Sequence, residues 1–161
     1  MTNLIYRQQI EPSDLEAISA IVKSSGFFST AEIDIALELA KERLAQPDAS
    51  SYRFLFAEDE KRVVGYTCYG LIPATSYSYD LYWIAVLKDL CGQGLGKLLM
   101  AKTEKLIRAD RGRQVYVETS SRDQYQPTRN FYESCGYHQE AFLKNFYSEG
   151  DGKIIYAKIL E

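Results

Sequence analysis

Apolar residues along the chain keep two spacings in turn, and the points where one gives way to the other divide it into elements. Leu4 to Ile10 is a short β-forming run that ends at Pro12-Ser13-Asp14, a helix-start signature with acidic residues in the first turn. Leu15, Ile18, Ile21 and Val22 then recur at helical spacing until Ser24-Ser25-Gly26 closes the segment. Phe27-Phe28 fall in a loop. Ser29 or Thr30 can cap a second helix with the stripe Ile33, Ala36, Leu37, Ala40 and Leu44, which Pro47 stops. From Tyr52 the spacing shortens: Phe54, Phe56 and Ala57 lead into the charged turn Glu58-Asp59-Glu60-Lys61, and Val63 to Leu71 resumes as a β-rich run, which predicts an antiparallel hairpin. Tyr79 to Val86 is nearly continuous in apolar residues, the pattern of a strand covered on both faces and hence central in its sheet. A glycine-rich turn, a helix over about 95–109 and a strand over 114–120 make one β-α-β unit. Pro127 can open a further helix that Gly136 ends, and two β-rich runs, around 138–146 and 153–160, complete the chain.

Composition narrows what such a chain can be. With 161 residues and 46% hydrophobic content, a single domain over 1–161 with its own core is expected, without disulfide staples. Lys+Arg 19 against Asp+Glu 22 gives a net charge of -3 with no basic block, so neither nucleic acid nor an anionic membrane surface is an expected partner. No apolar stretch approaches the ~20 residues of a spanning helix and the N-terminus lacks a secretory segment, which reads as cytoplasmic. Three widely spaced cysteines with no C-x-x-C pair, and His138 as the one histidine, leave no metal expected. The 13 tyrosines are the compositional oddity.

The segment Leu90-Cys91-Gly92-Gln93-Gly94-Leu95-Gly96-Lys97 lies between the buried strand and an amphipathic helix. Glycines there allow close backbone approach, and the unpaired N–H groups of a helix start, with the positive end of its dipole, make an anion site suited to phosphate. A dinucleotide fingerprint starting at Gly92 would need glycine where Lys97 stands. A Walker loop would need four residues between its glycines and Ser or Thr where Leu98 stands. Both fail.

The turn resembles the acyl-CoA loop of the GNAT N-acetyltransferase superfamily, Gln/Arg-x-x-Gly-x-Gly/Ala, laid over Cys91 to Gly96. Both glycines match, and Cys91 stands where the family carries Gln or Arg. Upstream, Tyr79-Asp80-Leu81-Tyr82-Trp83-Ile84-Ala85-Val86 looks like the family's fourth strand. Downstream, Asn130-Phe131-Tyr132-Glu133-Ser134-Cys135-Gly136-Tyr137 looks like its FYE..GF signature. The order of elements is also that of the family. The resemblance implies an α/β fold with a mixed sheet of about seven strands and four helices, the central strands splayed around an acyl-CoA cleft. It further implies acetyl-CoA as co-substrate, bound by Ile84, Ala85 and Val86 and by the loop residues Gly92, Gln93, Gly94, Leu95, Gly96 and Lys97.

Acetyl transfer to an amine needs a neutral nucleophile, a polarised thioester carbonyl and a proton for the departing thiolate. An ammonium of lysine type loses its proton only near pH 10.4, roughly, so a carboxylate base is useful at neutral pH. Asp80 and Glu118 are acidic residues in otherwise apolar strands, where burial without a partner is costly. Either could relay the proton while the other holds the acceptor's ammonium. By resemblance, Asp80 stands where some family members carry a basic glutamate, Tyr132 is the tyrosine that protonates the CoA sulfur, and a backbone N–H near Ile84-Ala85-Val86 polarises the carbonyl. The helix–helix loop with Phe27 and Phe28, together with Tyr79, Tyr82, Trp83 and Tyr125, is expected to line the acceptor pocket. A small-molecule primary amine, an amino acid among the choices, is the leading acceptor, and monomer or homodimer the expected state. The rival readings are acetylation of a protein N-terminus or lysine, and a non-catalytic acyl-CoA-binding module.

Overall fold

The computed structural model describes residues 3–26 and 28–161, so Phe27, expected at the acceptor pocket, lies outside the described residues. Seven strands and four α-helices follow one another: β1 (Ile5–Arg7), α1 (Asp14–Ser24), α2 (Thr30–Ala45), β2 (Arg53–Asp59), β3 (Arg62–Leu71), β4 (Ser78–Val86), α3 (Leu95–Ala109), β5 (Gln114–Ser120), α4 (Gln126–Ser134), β6 (His138–Ser148) and β7 (Asp151–Ile159). The strands form one mixed sheet in the order β1-β2-β3-β4-β5-β7-β6. β4 is its middle strand, as the nearly continuous apolar run predicts. β4 and β5 pair in parallel, Ser78 with Gln114, Tyr79 with Val115 and Asp80 with Tyr116, because α3 carries the chain back to the starting end of the sheet between them. The β-rich run at the N-terminus is shorter than its sequence pattern. Only three residues pair, since the Arg7 guanidinium turns to Asp14 at the start of α1 (2.9 Å) and to Glu58 on β2 (2.8 Å).

The chain divides into two compact units, and both β4 and α3 contribute residues to each. The first comprises Met1–Gly70 and Trp83–Thr103. Its core is Ile18, Ile21 and Val22 of α1, Ala36 and Ala40 of α2, Phe54 to Ala57 of β2, and Leu95, Leu99 and Met100 of α3. Ser29 caps α2, accepting from the Glu32 N–H while the Glu32 carboxylate accepts from the Ser29 N–H, a reciprocal pair that contributes about 1 kcal/mol.

The second unit comprises Leu71–Tyr82 and Glu104–Glu161. One face of its β5-β7 ladder is apolar and buried. Val115 and Val117 on β5 share that face with Tyr156 and Ile154 on β7, and Tyr132 of α4 brings its ring to within 6.0 Å of Tyr156. Gly112 is obligatory beside this core: a Cβ there would lie 2.3 Å from Ile107 and 2.7 Å from the Tyr79 ring. The buried Glu104 carboxylate is matched by Lys158 (2.9 Å) and by the Tyr137 hydroxyl (3.1 Å), so the charge is partnered where water is excluded. Among the described residues no helix is long and apolar enough to cross a membrane.

Candidate active site

In the first unit the strand-to-helix connection is built from backbone. Residues Lys88–Leu90 form one 3-10 turn, Cys91 is extended, and Gly92 and Gly94 take φ of +80° and +86°, the left-handed region that suits glycine. Neither glycine would meet any atom within 4 Å if it carried a Cβ, so space is open beside both. The Leu98 N–H donates to the Gly94 carbonyl (3.1 Å), making this the first α-helical bond of α3. The N–H groups of Leu95, Gly96 and Lys97 precede it and have no carbonyl inside the helix to meet. The first turn of α3 carries no acidic residue, and exposed Lys97 stands in it. Positive helix end, N–H groups with no carbonyl inside the helix and a lysine together suit the phosphates of a nucleotide.

The loop is held at its base. The Leu87 N–H donates to the Val64 carbonyl (2.9 Å), and the Lys88 N–H donates to Ser24 Oγ at the end of α1 (3.1 Å). Gly65 on β3 lets α3 approach closely, since a Cβ there would be 2.9 Å from Leu99, 3.2 Å from the Ala85 carbonyl and 3.3 Å from Val86. Ile84, Ala85 and Val86, expected to border the thioester, are half-buried on β4. The Cys91 thiol turns back toward the Val86 and Leu87 carbonyls at 3.8 and 3.6 Å, and Gln93 reaches the Asp89 carbonyl (3.3 Å). Of the residues expected at the acceptor pocket, Phe28 and Trp83 meet edge to face with centroids 4.9 Å apart.

In the second unit the candidate chemistry is carried by side chains. Asp80 is half-buried near the start of β4, and burial raises its carboxyl to about 6. The charge of Glu118 pushes the same way, and Lys153 opposes both. Glu118 on β5 is half exposed and pairs with Lys153 of β7 at 2.8 Å. Tyr132 is buried among Phe131, Tyr137 and Tyr156, with centroids 5.7 to 6.2 Å away, and burial raises its hydroxyl, so it stays protonated at any working pH.

The alternation of β4 sends Tyr79 the opposite way from Asp80. Although expected at the acceptor pocket, Tyr79 is buried against Gly112 with its hydroxyl on Asp110. Tyr125, expected in the same place, is also buried, beneath the Arg122 guanidinium at 5.6 Å. Tyr82 is half-buried on β4. His138 is exposed and pairs with Glu140. Two residues escape a reading of the sequence. Gly65 sits in a β-run with no turn signal, and Lys153 reads as an ordinary strand lysine until β7 is seen to lie between β5 and β6.

Comparison with known proteins places this architecture. The family model described as acetyltransferase (GNAT) domain matches residues 50–139. A crystal structure from Desulfovibrio desulfuricans assigned to the GNAT acetyltransferases is 43% identical, covers 98% of this chain and 99% of its own, and superposes with a TM-score of 0.95. The ribosomal-protein-S18-alanine N-acetyltransferase of Escherichia coli (18% identity, 99% and 95% covered, TM-score 0.75) shares the fold. So does an aminoglycoside 6'-N-acetyltransferase solved with coenzyme A (18%, 96% and 96%, TM-score 0.75). A search of curated proteins gives no match. The chain belongs to the GNAT acetyltransferase family and is an acyltransferase.

Proposed function

We propose that the protein transfers the acetyl group of acetyl-CoA to the primary amine of a small molecule, an amino acid being one candidate, by direct attack in a ternary complex within a single domain spanning 1–161. The observation that carries this reading is the acid-free start of α3, preceded by two left-handed glycines with open space beside them. Those residues fit an acyl-CoA. The N–H groups of Leu95, Gly96 and Lys97 would hold its phosphates, with Gly92, Gln93 and Gly94 leading the chain past them, while Ile84 to Val86 would border its acyl end. Bound acetyl-CoA supplies an activated thioester. The two distant relatives described above act, by name, on a ribosomal-protein alanine and on an aminoglycoside, and one was solved with coenzyme A, which supports acyl-CoA use and leaves the acceptor to this chain's own residues.

Asp80 is the base. Its carboxyl sits near 6, so at pH 7 it is largely ionised yet retains enough proton affinity to draw a proton from an alkylammonium. The freed amine attacks the thioester carbonyl; as the C–N bond forms and the C–S bond breaks, the nitrogen gives up its second proton to solvent, while Tyr132, neutral by burial, donates the proton that the departing sulfur takes up and regains one from solvent. A thiol with pKa about 8.5 leaves readily, so this acid need contribute only a modest factor.

The test is a thiol-release screen with acetyl-CoA over amino acids of both hands, polyamines, aminoglycosides and peptides. Turnover of a small amine with release of one thiol per acetyl transferred is the expected result. Preference for a peptide N-terminus would reassign the acceptor. A thermal shift with CoA but no thiol release with any amine would make the protein a non-catalytic acyl-CoA binder.

A further inference from the structure

One face of the second unit's sheet holds more charge than the proton transfer above uses. Asp80 lies opposite Tyr116, Glu118 follows two residues on, and Lys153 lies opposite Ser120, so the pleat puts Asp80, Glu118 and Lys153 on one face. Tyr79, Val115 and Val117 occupy the other. The charge of Glu118 raises the affinity of Asp80 for a proton, and the Lys153 cation opposes it.

Lys153 is placed unequally. Its ammonium is 2.8 Å from Glu118 Oε2 and acts on Asp80 only through space. The ammonium is also seated, 3.7 Å over the centre of the Phe146 ring and 5.8 Å from that of Tyr147, with the two rings edge to face at 5.0 Å. Both rings are about half exposed at the far end of β6, and the cation beneath them gives that aromatic pair a role other than packing. The hairpin that presents them is closed by the Gly150 N–H donating to Asn145 Oδ1 (2.9 Å). Lys153 is thereby only 12% exposed, while Glu118 is 50% exposed.

We infer that Lys153 is a positioning residue for this acid pair: seated between Glu118 and Phe146, it engages Glu118 as a counter-ion and leaves Asp80 as the carboxylate that exchanges a proton with the acceptor. The inference rests on the acetyltransferase reading above and divides the work between its two acids. The groups that act on Asp80 are Glu118 from β5 and Lys153 from β7, with Tyr116 across from it in register and Tyr82 two places along β4.

The test uses the full chain with Lys153→Met, Lys153→Arg and Phe146→Leu. Side-chain carboxyls are titrated by carbon NMR without substrate, and the pH dependence of kcat/KM is measured with the amine found by the screen. Lys153→Met should move the Asp80 midpoint and the acid limb of kcat/KM upward together by about one pH unit, because the repulsion from Glu118 is no longer offset. Lys153→Arg should restore both. Phe146→Leu, an exposed-site change that leaves the lysine in place, should give a smaller shift in the same direction. An Asp80 midpoint unmoved by Lys153→Met in active enzyme, or an acid limb that follows Glu118 instead, overturns the inference. Wild-type protein that releases no thiol with any amine overturns the acetyltransferase reading instead.

Discussion

The two halves of the proposed machinery are made of different material. The connection from β4 to α3 does its work with backbone: left-handed glycines, the first N–H groups of a helix and the absence of acid in the first turn. The proposed base works with a side chain, Asp80, whose ionisation is set by burial and by charges on two other strands, Glu118 of β5 and Lys153 of β7. A backbone site tolerates side-chain change that leaves its conformation and electrostatics alone. A site of coupled charges does not, because each group's proton affinity is partly the property of the others.

Asp80→Asn should have the largest effect, a fall in kcat/KM of about 100-fold or more, the usual scale for losing a general base. The same change should raise stability. A carboxyl held near 6 when folded, against about 3.9 unfolded, favours the folded state below pH 4, and that advantage is lost as pH rises through 6. Asp80→Asn should therefore raise stability at pH 8 by about 1 kcal/mol after allowance for solvent screening, seen as a higher Tm, and leave Tm nearly unchanged at pH 4; thermal melts at the two pH values check this.

Lys97→Glu sharpens the other side. An acid in the first turn of α3 suits the helix dipole, so stability should hold or rise by a few tenths of a kcal/mol. Affinity for acetyl-CoA should nonetheless fall about tenfold, because the new charge faces phosphate. Isothermal titration beside a thermal melt separates an anion site from a merely structural turn. Tyr132→Phe should lower kcat by up to about tenfold with the KM for acetyl-CoA little changed; an undiminished kcat would make Tyr132 a packing residue. The smallest effect belongs to Gln93→Ala. Its side chain reaches only the Asp89 carbonyl, so the KM for acetyl-CoA should stay within about twofold, and a large rise would show that the loop binds with side chains after all.

Most elements are legible in the hydrophobic spacing: α1 and α2 bury Ile18, Ile21, Val22, Ala36 and Ala40 at helical intervals, and β5 alternates Val115 and Val117 inward with Tyr116 and Glu118 outward. Ser29 caps α2 as its position suggests, and the nearly continuous apolar run Tyr79 to Val86 is the middle strand. The glycine turn is legible because its spacing alone excludes two phosphate loops and fits a third. What the sequence hides is set by sheet order. Which face of β4 Tyr79 occupies follows from its partner on β5, and the partner of Glu118 follows from β7 lying next to β5. The tyrosine excess resolves the same way: Tyr66, Tyr69, Tyr79, Tyr125, Tyr132, Tyr137 and Tyr156 are all buried. Composition cannot tell a core ring from one that lines a pocket, since both are apolar bodies with a polar tip.

Cys91 brings one further consequence. Of the three thiols, Cys68 is buried and Cys135 partly covered, so Cys91 is the one that stands exposed, at the entry to the glycine turn. A maleimide fluorophore should therefore attach there selectively in the folded protein. The dye would sit one residue from Gly92, where its emission could follow nucleotide arrival and departure in real time without a second engineered cysteine.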